Sequence, residues 1–278
     1  MKNIKDRLKV NLFPIYKRVY LPLKRHNKFI PEKKMIKGKY KTESSRPSIL
    51  FFTAHKCASS FISRIFDDIC EFSDYERANF DSYFAPYEID IEEKFKEKIS
   101  LKNAFITHGV IYCPFRSFRK IPHFERYKVL LILRDPRDVL TSHYFSISYS
   151  HAVINRKLYK KRKKALKQDI DDFVLEYADF YFNIYSKYKN KLMNRSNVIF
   201  YRYEDMISDK NKFLDFLIKF TSVRLPDSKI TKIKKEMEIP KKENKYQHKR
   251  SGKSGQFRAK LKKKTINKLN KKFASILD

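Results

Sequence analysis

The chain has 278 residues, 42% hydrophobic and 15% aromatic, with three cysteines and a formal charge of +33. Cys57, Cys70 and Cys113 show neither paired spacing nor histidines at metal-binding spacing, which argues against a disulfide framework or a zinc site and for a reducing compartment. No stretch approaches ~18 uninterrupted apolar residues, so no membrane span is expected, and the N-terminus lacks the apolar core of a signal peptide. The charge predicts attraction to anions: nucleotides, nucleic acid, acidic glycans or a negative membrane face. A lysine-rich host proteome would raise it without any such partner.

Residues 1–47 read as a basic N-terminal extension. They carry 15 Lys/Arg against Asp6, Glu32 and Glu43, a net of +12, with Leu8, Leu12, Phe13 and Ile15 among the apolar residues mixed in. Pro14 and Pro22 forbid one long helix. The arm suits peripheral contact with an anionic membrane, or loose packing on the domain that follows.

From residue 48 to 278 strand and helix signals alternate. Strands are expected at 48–53 (SILFFT), 103–107 (NAFIT), 128–133 (KVLLIL) and 197–201 (NVIFY). Helices are expected at 59–71, 88–99, 136–150, 169–193 and near 210–221, with a short amphipathic helix closing the chain. A run from Arg156 to Lys167 holds eight basic and no acidic residues; it suits an acidic glycan or a solvated helix face. Short apolar strands separated by helices predict a single α/β domain around a mostly parallel central sheet flanked by helices.

In such sheets ligands collect beyond the carboxyl ends of the strands. The turn Ala54–Ser60 lies there, at a helix start whose unpaired N–H groups suit a phosphate. Lys56, Ser59 and Ser60 add a cation and two hydroxyls. The turn lacks the glycines and the Lys-Ser/Thr pair of a Walker A loop, which disfavours a nucleotide kinase. After the 128–133 strand, Arg134 is followed by Asp135 as a helix cap and Pro136 at the first helical position. A forked guanidinium there and Ser142 in the helix can grip a second phosphate. Two of the chain's four glycines, Gly252 and Gly255, fall in the basic stretch HKRSGKSGQFRAKL (248–261), a pattern that suits anion-binding backbone or a flexible basic loop.

Together these segments resemble the sulfotransferases that use 3′-phosphoadenosine-5′-phosphosulfate (PAPS). The family's first loop, PKSGTTW, corresponds to HKCASSF (55–61). Its R-[DN]-P-[RK]-D-V-x-x-S-x-Y-x-F motif corresponds to RDPRDVLTSHYF (134–145). Its YED element corresponds to YEDM (203–206), and its closing RKGxxGxW to RSGKSGQF (250–257). The four motifs stand in family order from residue 48 to 258.

The resemblance implies a P-loop-like sulfotransferase fold and a set of roles. Lys56, Cys57, Ala58, Ser59 and Ser60 would cradle the 5′-phosphosulfate, with Lys56 offsetting charge on the leaving phosphate. Arg134 and Ser142, with Arg250, Ser251 and Gly252, would hold the 3′-phosphate. Tyr203 would lie near adenine, and Phe61 stands where the family often has an adenine-stacking tryptophan. The family's base is often a histidine just after a strand, a place His108 is expected to fill. Histidine titrates near ~6.5 and accepts a hydroxyl proton at neutral pH. Ala58 for glycine, Ser251 for lysine and Phe61 for tryptophan depart from the pattern.

The implied reaction is in-line sulfuryl transfer from PAPS to a hydroxyl of a glycan, lipid or small molecule, with no metal. A cytoplasmic location is expected, with peripheral membrane contact through residues 1–47. Nucleic acid is not an expected partner, although a basic nucleic-acid-binding protein is the alternative that the charge suggests.

Overall fold

A computed structural model of the chain describes residues 28–84, 101–153, 156–238, 242–247 and 250–277, together with positions 12, 15 and 22. The helix expected at 88–99 lies outside the described residues, as does most of the stretch before residue 28. The chain forms two compact units. One comprises residues 27–134 and 187–238, the other 1–26, 135–186 and 239–278.

The first unit is built on a parallel sheet. Its strands are β1 (Ile49–Thr53), β2 (Glu76–Ala78), β3 (Val110–Phe115), β4 (Lys128–Leu133) and β5 (Val198–Arg202), in the order β2-β3-β1-β4-β5. Every pairing is parallel. β1 and β4 run in unbroken register from Ile49↔Lys128 to Thr53↔Ile132. Between β1 and β3 the register slips from Leu50↔Tyr112 to Phe52↔Phe115. Pro114 lies in that interval and has no N–H to give the ladder, which accounts for the bulge.

All five β1 residues are buried, as a strand covered on both faces requires. One face packs Ile49, Phe51, Ile111, Leu130 and Ile132 against Ile62, Ile65, Phe66 and Ile69 of the helix Ser59–Glu71. Side chains of the helices Tyr203–Ser208, Lys210–Thr221 and Asp227–Met237 join the same cluster. On the other face Phe52 meets Phe115 at 5.2 Å and Tyr188 at 6.1 Å between ring centroids. Residues 28–47 also pack in this unit. The helix Ile30–Ile36 buries Met35, and Glu32 accepts a 2.6 Å hydrogen bond from the Asn79 amide. β5 is an edge strand, and its Ile199 and Phe200 side chains are each 42% exposed.

The second unit is helical among its described residues. Asp135 accepts from the Arg137 amide at 2.9 Å and Pro136 opens the helix Pro136–Phe145, the cap arrangement expected. A π-helical turn, Ser146–Ser150, continues it. The basic run forms the helix Arg156–Ala165. It is not solvated throughout: Arg162 is buried and donates to the Ile147 carbonyl at 2.9 Å. The long helix expected over 169–193, which runs on into the sheet unit, is three pieces, Ile170–Glu176, Ala178–Tyr188 and a π-helical turn Lys189–Met193. The amphipathic helix Lys263–Leu277 buries Leu269 and Phe273.

No described helix is long and apolar enough to cross a membrane.

The strand expected at 103–107 lies further along the chain. Residues 101–104 are helical, and the strand begins only at Val110. That shift relocates a proposed catalytic residue.

Candidate active site

β1 ends at Thr53, and the chain turns through 54–58 into the helix Ser59–Glu71. Without glycine the turn is made by two residues in the left-handed region, Lys56 at φ 68° and Ala58 at φ 60°. That conformation costs a residue with a Cβ about 1–2 kcal/mol. No side chain caps the helix. Its first N–H groups have no intrahelical acceptors and carry the positive end of the helix dipole. Lys56 is partly exposed, Cys57 is fully buried, Ser59 is buried and Ser60 is exposed. Phe61 packs against the core, with the Arg64 guanidinium 5.8 Å from its ring centroid.

β4 neighbours β1, and Thr53 stands opposite Ile132. Arg134, two residues beyond Ile132, therefore emerges at the same carboxyl edge as the turn. Arg134 is 5% exposed, and its guanidinium lies 4.5 Å from the ring centroid of Tyr203. Tyr203 is itself buried within the hydrophobic cluster, so it serves as the platform that fixes Arg134.

Three residues that no sequence motif marks stand at the same edge. Arg116 directly follows β3. It donates from Nη2 to Ser59 Oγ at 3.2 Å, and its Nη1 is 3.6 Å from Asp81 Oδ2. Arg119 donates to Asp81 Oδ1 at 2.7 Å. Tyr188 ties the strand ends together, donating to the Thr53 carbonyl at 2.7 Å. Burial, with Asp81 nearby, pushes its phenol well above the ordinary value, so it remains a donor at neutral pH. A basic residue just past a buried strand was the available signal for Arg116; nothing local linked it to Asp81, 35 residues earlier.

In the second unit Ser142 is partly exposed on the helix Pro136–Phe145. Arg250 and Ser251 are buried. Arg250 pairs with Glu243, and its guanidinium sits 4.1 Å from the Phe145 ring centroid. Gly252 and Gly255 have φ of 69° and 72°. At Gly255 a Cβ would meet Arg258 Nη1 at 2.7 Å. The fully buried Asp138 carboxylate accepts from the Gly255 amide at 2.7 Å and the Phe257 amide at 3.0 Å. Asp138, from the RDPRDV motif, thus pins the glycine loop from within its own unit.

His108 does not join the turn. It precedes β3 and forms an antiparallel bridge with Pro47, before β1 begins. The seven residue-to-residue steps from Pro47 to Ala54 span ~23 Å of extended chain. His108 therefore lies at the amino edge of the sheet and the turn at the carboxyl edge. Its Nδ1 is 3.0 Å from Thr107 Oγ1. The expectation that it acts as the base is corrected: NAFIT is not the strand, and a residue placed after NAFIT falls before the true one.

A family model described as "Sulfotransferase domain" matches residues 46–278. A search of curated proteins returns no match. Among solved structures, mouse sulfotransferase SULT7A1 complexed with PAP is similar at TM-score 0.57 and 17% identity, with 88% of each chain covered. Retinol dehydratase in complex with androsterone and inactive cofactor PAP is similar at TM-score 0.54 and 14% identity, covering 88% of this chain and 83% of that one. At such identities the likeness speaks for the fold. The family match, which spans most of the chain and all four motifs, shows that this chain belongs to the sulfotransferase-domain family.

Proposed function

We propose that the chain is a sulfotransferase that takes PAPS as donor and a hydroxyl compound as acceptor. One observation carries the reading. An uncapped helix N-terminus, entered through left-handed Lys56 and Ala58, shares a sheet edge with the rigidly held Arg134. Two separated anion grips on one edge suit a ligand with phosphates at both ends. Both solved structures of similar fold are complexes with PAP, which supports the same choice of nucleotide.

The donor supplies an activated sulfuryl group. This chain's part is to bind and to balance charge. The amides of the turn and the hydroxyls of Ser59 and Ser60 hold the phosphosulfate end. Lys56 offsets negative charge building on the leaving phosphate. Arg134 holds the 3′-phosphate; Ser142, Arg250, Ser251 and Gly252, in the helical unit, stand at motif positions that the family resemblance gives to phosphate binding. Tyr203 acts through Arg134, and Phe61 offers an apolar face for the base. His108 has no role in this mechanism. The membrane contact expected of the N-terminal arm falls to residues 1–27, because 28–47 pack in the sheet unit.

The test is calorimetric titration with PAP, followed by incubation with labelled PAPS and pooled glycans, lipids and phenols. Micromolar PAP binding and a labelled product are expected. Failure of PAP to bind at millimolar concentration would overturn the reading.

A further inference from the structure

Among the described residues near the donor turn the charges do not balance: the Asp81 carboxylate is shared by two guanidiniums, those of Arg116 and Arg119. The Arg119 side chain is 9% exposed, and its Nε and Nη1 groups meet no hydrogen-bond acceptor. Its guanidinium carbon also lies 5.5 Å from the Phe115 ring centroid, in a low-dielectric setting. Arg116 is more open, at 26% side-chain exposure, and already touches Ser59 Oγ at the helix start. A buried excess of positive charge is costly unless an anion answers it. One carboxylate answers two guanidiniums, with Arg119 the nearer at 2.7 Å against 3.6 Å for Arg116, so the pair keeps a net positive charge that Arg116 can offer at the turn.

We propose that Arg116 is the contact residue of an oxyanion subsite distinct from the two phosphate grips, with Arg119 and Asp81 as its positioning residues. This rests on the donor reading above and adds the group that meets the nucleotide's reactive end. The chemistry is a sulfonate-like or carboxylate-like oxyanion. It comes either from the sulfonate of the donor or from an acidic group on the acceptor.

The experiment titrates inorganic sulfate onto protein saturated with PAP, whose phosphates fill both grips. Wild-type protein should bind sulfate in the millimolar range. Arg116→Gln should bind it about tenfold more weakly, while Arg116→Lys, which keeps the charge, should stay within about threefold. No sulfate binding to the PAP-loaded wild type, or equal binding by Arg116→Gln, overturns the proposal. Comparing PAPS with PAP then identifies the source. A tenfold loss in Arg116→Gln for PAPS alone assigns the subsite to the donor sulfonate, and unchanged affinity for both assigns it to the acceptor. An equal loss for both nucleotides would show Arg116 to be part of the 5′-phosphate grip and would also overturn it. If PAP fails to bind the wild type, the donor reading falls. The same sulfate titration on nucleotide-free protein then decides the subsite by itself.

Discussion

Substituting alanine at His108 and at Lys56, one variant each, puts the two edges of the sheet in opposition. The ~23 Å of strand between Pro47 and Ala54 exceeds two Debye lengths at physiological salt, each about 8 Å. A charge or hydrogen bond at His108 is therefore invisible at the turn. His108→Ala should leave both PAP affinity and PAPS turnover within about twofold of wild type. Lys56 lies within the turn, and losing a charge-assisted hydrogen bond costs about 1.5–3 kcal/mol. Lys56→Ala should weaken PAP binding roughly 10- to 100-fold, with a further loss of turnover if the lysine also acts on the leaving group. Calorimetry with PAP and release of PAP from PAPS in pooled acceptors read the two quantities separately. A His108→Ala protein that binds PAP normally yet turns over a hundredfold more slowly would refute the placement of the chemistry at the carboxyl edge.

Other substitutions probe the parts that hold the site. Arg134→Ala should weaken PAP binding by about 1.5–3 kcal/mol, measured by calorimetry; unchanged affinity would remove Arg134 from the site. Ala58→Gly relieves a left-handed alanine and should stabilise the fold by about 1 kcal/mol, seen as a higher urea midpoint. Asp138→Ala leaves a buried and a part-buried amide without their acceptor and should cost about 3 kcal/mol, with faster hydrogen exchange at Gly255 and Phe257. Burial holds the Glu32 carboxyl above its ordinary range. Its ionisation opposes folding, so stability is lost as pH rises from the ordinary carboxylate range through the raised folded value. Glu32→Gln should accordingly be the more stable protein at pH 7, with the difference fading near pH 4 in paired urea melts.

The donor turn was legible because its signals are local. An apolar run, a break and a helical pattern sit within residues 48–71, and the helix bounds agree at Ser59 and Glu71. The Arg134–Asp135–Pro136 boundary was equally readable, since caps and prolines act on neighbouring residues. β3 was not. VIYCPF carries a proline in its interior, which argues against a strand, and the apolar stretch just before it drew the assignment seven residues early. That single displacement carried His108 from one end of the sheet to the other. Arg116, Asp81 and Arg119 escaped notice because pairing between β-segments, rather than sequence spacing, brings them together. Tyr203 is expected near adenine from its motif, and its packing beneath the Arg134 guanidinium is a contact that no sequence spacing announces.

The outermost strand also bears on how the protein behaves in the tube. Among the described residues no strand pairs with the outer side of β5, and it leaves two bulky apolar side chains, Ile199 and Phe200, part-exposed to water. Such a margin is a ready template for another molecule's chain. Lys212 and Lys219 line the groove beside Ile199, and mutual repulsion between strongly cationic copies keeps these margins apart. Added salt shortens the reach of that repulsion, so concentrated stocks should cloud as ionic strength rises, beginning at this strand.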